Sequence, residues 1–128
     1  MFYEFHKKWL SVPGAYGAPP KAIAWLYEFG YSAGILFVLF VASELLRLPS
    51  ILTGFFLSAS LIALSITSLI LGYINKKSSV IYFGSIGGVP HKKKDYKWVY
   101  YWFQFLSVTG AILLFLAAIY ILKTITGL

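Results

Sequence analysis

ILTGFFLSASLIALSITSLILGYI, residues 51–74, runs twenty-four residues without a charge. As an α-helix rising about 1.5 Å per residue it reaches roughly 36 Å, and the hydrocarbon core of a bilayer is about 30 Å thick. The segment therefore crosses a membrane with a little tilt to spare. A chain of 128 residues has no interior large enough to surround such a helix, so lipid must cover much of it.

Two further spans flank it, over residues 22–48 and 98–122. The first opens on Trp25, Tyr27 and Tyr31 and the last on Trp98, Tyr100, Tyr101, Trp102 and Phe103; such rings favour the membrane–water interface. Tyr120 and Lys123 mark the far edge of the last span. Pro49-Ser50 leaves only a tight turn between the first two spans, which makes them an antiparallel hairpin. The fold class read from these segments is all-α integral membrane, with three transmembrane helices and a single domain over 1–128.

Composition agrees. Apolar residues make up 59% of the chain and charged ones 12%, against about a quarter charged in soluble domains. The absence of cysteine rules out disulfides, thiolate metal sites, thioether-linked haem and lipidated cysteine. The net charge of +7 sits in groups beside the spans, and every cation but Arg47 is lysine. That pattern fits a topology signal or anionic-lipid contact and gives little for nucleic-acid readout, which favours arginine.

Residues 1–21 form the approach to the membrane. Phe2, Phe5, Trp9 and Leu10 fall near one side of a helix, with a Glu4–Lys8 pair one turn apart, so the stretch reads either as a short interfacial amphipathic helix or as an unstructured aromatic tail. No signal-peptide pattern is present: Ala22-Ile23-Ala24 precedes an apolar run instead of following one. Pro13-Gly14 and residues 17–20 break any helix. The one sizeable connection, 75–97, reads as a basic loop; its run 80–83 is compatible with a short strand or with a dip into the interface.

Cations set the expected orientation. Three spans place Lys7, Lys8, Lys21, Lys76, Lys77, Lys92, Lys93, Lys94 and Lys97 on one face, with Arg47 and Lys123 on the other. The positive-inside bias then puts the N-terminus and the 75–97 loop in the cytoplasm and the C-terminus outside a plasma membrane.

Helix packing gives the clearest local pattern. Gly54, Ser58, Ser65, Ser68 and Gly72 recur at helical spacing along the second span, and Gln104, Ser107, Ala111, Leu114 and Ala118 form a comparable stripe on the third. Small residues let backbones approach and hydroxyls bond across, so these stripes are expected to be a helix contact, within the chain or with another subunit. Phe55, Phe56, Phe103 and Phe115 would then lie nearer lipid or a neighbour.

The chain offers little chemistry. Glu28 and Glu44 each lie about 12 Å from the middle of the first span and point roughly 160° apart, so they form no relay by themselves. Glu44 is expected to pair with Arg47 three residues on. Glu28 is the one candidate membrane acid, for contact with a lysine or another subunit. Neither His6 nor His91 lies in a span, where axial ligands of membrane haem commonly sit. Gly84, Gly87 and Gly88 miss the phosphate-loop patterns. Lys92, Lys93 and Lys94 can meet anionic headgroups or an acidic partner. No catalytic or metal constellation emerges, and no cofactor is expected on this chain alone; quinone or haem would come only through partner subunits.

Two function classes remain. One is a non-catalytic accessory subunit of a multi-subunit membrane complex, of the respiratory or electron-transport kind, whose partners are other integral subunits and lipids. The other is a small homo-oligomeric transporter using Glu28, although such exporters normally have four spans. Both short ends leave no soluble domain to act alone. The respiratory assignment is architectural analogy, without a motif behind it.

Overall fold

A computed structural model describes residues 2–9, 20–78, 80–81, 91–92 and 97–127. It contains four helices and one small ladder: α1 (Phe2–Trp9), α2 (Pro20–Leu45), α3 (Ser50–Ser78), β1 (Val80–Ile81), β2 (His91–Lys92) and α4 (Lys97–Thr126). Three of these helices are long and apolar enough to cross a membrane, over Lys21–Leu45, Ser50–Lys76 and Tyr100–Thr126. The protein is a multi-pass membrane protein, helical apart from that two-residue ladder among the described residues.

Helix ends differ from the hydropathy reading by a turn or so. α2 stops at Leu45, three residues before the apolar run does, while α3 and α4 extend into polar sequence to Ser78 and Thr126. Backbone hydrogen bonding continues a helix past the point where lipid is needed to cover it. The connection over 75–97 is correspondingly shorter. Val80 and Ile81 pair antiparallel with Lys92 and His91, which assigns the first half of the 80–83 run to a strand.

The α2–α3 hairpin is closed by backbone geometry. Leu48 N–H donates to Ser43 O at 3.0 Å and Arg47 N–H to Glu44 O at 3.1 Å, the two bonds of a Schellman cap. Arg47 occupies its left-handed position, at φ 56°, which costs a non-glycine residue about 1 kcal/mol. Pro49 follows, and its carbonyl accepts from Leu52 and Thr53 at 3.0 and 3.1 Å, opening α3. The side-chain pair expected between Glu44 and Arg47 does not form: both are exposed, and among the described residues no ion pair joins them. The left-handed backbone at Arg47 takes that residue off the helical path on which three-apart side chains become neighbours.

α3 is the middle helix. It packs against α2 on one side and α4 on another, while α2 and α4 make no close approach to each other among the described residues. Ser60 and Thr67 face α2; Gly54, Ser65, Ser68 and Gly72 face α4. These two sets lie about 125° apart around an ideal helix, so among the described residues the three spans form an open layer.

Burial is uneven along the layer. The hydrophobic cluster covered by protein comprises Ala22, Ile23, Leu26, Tyr27 and Ile74, with Tyr3, Tyr31, Ile70 and Leu71 against it. All lie at the α1 end. Further along, large side chains such as Phe37, Val38, Leu113 and Leu116 point outward, as suits hydrocarbon surroundings. The three long helices measure about 39, 44 and 45 Å by rise, exceeding a ~30 Å core. The α1 end combines this buried cluster with exposed rings at Trp25, Trp98 and Trp102.

Candidate functional site: the α3–α4 seam and the Glu28 clasp

Among the described residues, two groups of polar side chains within the spans bond to another helix. Along the α3–α4 contact, Ser65 Oγ donates to Ala111 O at 2.7 Å and Ser68 Oγ to Ser107 O at 2.8 Å. Gln104 Nε2 donates to Gly72 O at 3.1 Å. In hydrocarbon a lone hydroxyl or amide has no water to turn to, so bonds to a neighbour's carbonyl satisfy it at little cost. They also need backbones close together, and small residues provide that. A Cβ added at Gly72 would lie 3.1 Å from Ser107 Cβ, and one at Gly54 would lie 2.6 Å from Ile125 Cγ2. Ala111 and Ala118 are buried in the same helix row.

Ser58 behaves differently. It is 1% exposed, and no partner for its hydroxyl exists among the described residues. Of the bulky side chains, Phe55 and Phe115 are exposed, whereas Phe56, Phe103 and Leu114 are half-buried. On the other flank of α3, Ser60 Oγ donates to Ala33 O at 2.8 Å, a bond between α2 and α3 that the spacing pattern does not single out. Thr67 turns its hydroxyl back to Ala63 O at 2.8 Å and its methyl toward Gly30.

The second group surrounds Glu28. Its Oε1 accepts the Tyr3 backbone N–H at 3.0 Å. That N–H belongs to the first turn of α1, where helix amides lack internal partners and the helix dipole is positive. Glu28 is thus an N-cap supplied from another helix. Two ring contacts hold the same junction: Phe2 stacks on Tyr31 with centroids 5.7 Å apart, and Tyr3 meets Tyr27 at 5.6 Å. Glu28 lies about one turn further along α2 than Trp25, about 4.5 Å by rise. Residues Phe2–Trp9 are helical, and the first turn of α1 docks on α2.

The basic residues divide. Lys21, Lys76 and Lys97 are exposed at the α1 end, and Arg47 and Lys123 at the other. Lys92 belongs to β2, while Lys93 and Lys94 lie outside the described residues, as do the glycines at 84, 87 and 88 and the Pro/Gly breaks at 13–19. The side chains of Lys7 and Lys8, and with them the Glu4–Lys8 pair, also lie outside the described structure. Among the described residues no three His, Asp or Glu side chains gather closely enough to hold a metal ion.

The chain matches no protein-family model, no curated protein and no solved structure.

Proposed function

We propose that this protein is a small non-catalytic accessory subunit of a multi-subunit integral membrane complex, one of the respiratory or electron-transport kind. The observation that carries this reading is the open layer: α2 and α4 flank α3 without approaching each other. Both broad faces of the layer are apolar and suit contact with lipid and with the spans of neighbouring subunits. The intramembrane polar groups support it further. Ser60, Ser65, Ser68, Gln104 and Glu28 all bond to other helices of the same chain, which suits a packing element. Partners on this reading are integral subunits and lipids, and any quinone or haem sits with those subunits.

Native electrophoresis of membranes extracted in mild detergent, followed by mass spectrometry, tests it. The expected result is co-migration with redox subunits in a band far larger than the 14.4 kDa chain. A homo-oligomer free of other subunits would sink the reading in favour of a transporter.

The proposed orientation is N-terminus cytoplasmic in the plasma membrane, supported by the lysine imbalance between the two ends. Because the chain lacks cysteine, single cysteines report topology cleanly. A cysteine at Ser50 is expected to react with an impermeant maleimide on intact cells, and one at Lys97 only after lysis. The reverse pattern would invert the topology.

A further inference from the structure

Each spanning helix carries, at the α1 end, an exposed lysine with an exposed aromatic ring one helical turn nearer the membrane centre. On α2 these are Lys21 and Trp25, on α3 Lys76 and Tyr73, and on α4 Lys97 and Tyr101. The rings are 55%, 46% and 46% exposed, and Trp98 and Trp102 stand exposed at the same end. The pairs share one level to within about a turn. Ile74 packs among Ala22, Ile23, Leu26 and Tyr27, and Tyr100 Oη donates to Asn75 O at 3.3 Å, which ties all three helix ends together. The chain order alternates, lysine first on α2 and α4 and ring first on α3, yet in every case the ammonium lies outermost.

We propose that this rim binds anionic phospholipid, each pair gripping one phosphate-bearing headgroup. The lysine, a compact charge on a flexible stem, meets the phosphate. The ring sits one turn deeper, at the glycerol and ester level, where Trp and Tyr place an apolar body in lipid and a polar tip toward the headgroup. The acids at this end do not cancel the charge: Glu28 is committed to the first turn of α1, and Glu4 is the other acid described there. The opposite end has one comparable pair, Tyr120 and Lys123, beside the lone Arg47. The lipid preference therefore belongs to one leaflet. It holds for the chain by itself and does not depend on the accessory-subunit reading.

The test uses the full chain reconstituted in phosphatidylcholine nanodiscs containing a minority of phosphatidylglycerol, with bound lipid identified by native mass spectrometry. Phosphatidylglycerol is expected to be enriched over its bulk share. A Lys21→Gln/Lys76→Gln double variant should weaken that enrichment by about fivefold per lysine. An Arg47→Gln/Lys123→Gln double variant removes the same charge from the other end and should leave it intact. Circular dichroism confirms that both variants fold. Equal retention of both lipids by the parent chain would overturn the proposal. So would equal losses in the two double variants, because binding would then follow net charge and not the rim. Quenching of tryptophan fluorescence gives a second reading: brominated phosphatidylglycerol should quench more than brominated phosphatidylcholine, and equal quenching would count against the rim.

Discussion

Replacing Gly72 with leucine is expected to prise α4 away from α3 and to destabilise the protein by about 3 kcal/mol, whereas Gly34→Leu is expected to leave it unchanged. The two glycines lie on different helices within the same membrane and differ in what surrounds them. A Cβ at Gly72 would stand 3.1 Å from Ser107 Cβ and 3.5 Å from Gln104 Oε1, while one at Gly34 would meet nothing within 4 Å. At Gly72 even the first carbon of a side chain forces a shift, and the rest of a leucine has nowhere to go. The helices must separate, and that breaks the Gln104–Gly72 and Ser68–Ser107 bonds together. Each such bond contributes about 0.6 kcal/mol on average in a membrane, with overpacking adding about 1–3 kcal/mol. Gly54→Ala should be costly too: its Cβ would stand 2.6 Å from Ile125 Cγ2, a branch methyl fixed to the Cβ of a residue stiff at χ1.

Unfolding by SDS titration, followed by circular dichroism, reads the series. Two serines sharpen it. Ser65→Ala removes a bond across the seam, whereas Ser58→Ala removes a buried hydroxyl with no partner among the described residues and should be neutral or stabilising. If Gly72→Leu and Gly34→Leu unfolded at the same SDS fraction, close packing of α3 on α4 would not be what holds the bundle together.

What the sequence discloses about this molecule follows from which properties are additive along a chain. Hydropathy sums over a window, so the three spans stand out even though their ends do not; α3 runs on through Lys76 to Ser78. Angular position on a helix is likewise fixed by spacing, so the common face of Gly54, Ser65, Ser68 and Gly72 can be read from residue numbers. The carbonyl that each hydroxyl finds cannot, because it depends on the register between helices. Ser60 illustrates this: its bond to Ala33 joins α2 to α3 from a position that belongs to no stripe. The hairpin shows another limit. A three-residue interval suggests an ion pair between Glu44 and Arg47, but it presumes that the helix continues, and Arg47 has already left it at φ 56°. Glu28 shows the last, since its partner lies 25 residues away at Tyr3, beyond a stretch rich in proline and glycine that gives no hint of where α1 comes to rest.

That clasp leads to the second large effect. Substituting Glu28 with alanine should release α1 from α2, and substituting it with glutamine should loosen α1 without freeing it. The carboxylate meets the first-turn Tyr3 N–H at 3.0 Å, at the positive end of the α1 dipole. Loss of an N-cap costs about 1 kcal/mol in typical surroundings, and a charged cap facing a helix dipole reaches about 2 kcal/mol where partly buried. An isolated helix of eight residues does not persist in water, so α1 relies on its contacts with α2, this bond and the Phe2–Tyr31 and Tyr3–Tyr27 rings among them. Hydrogen exchange of the α1 amides is the direct measure. Exchange should quicken by roughly tenfold or more in Glu28→Ala and by a smaller factor in Glu28→Gln, whose amide oxygen still accepts but carries no charge. The same pair separates the two function classes. An acid that only holds a helix tolerates glutamine, and assembly with partner subunits should survive it; an acid that carries protons does not, and ion movement would stop while α1 stayed docked. Unaltered exchange in Glu28→Ala would show that contacts other than the Glu28 carboxylate hold α1, and Glu28 would then need another explanation.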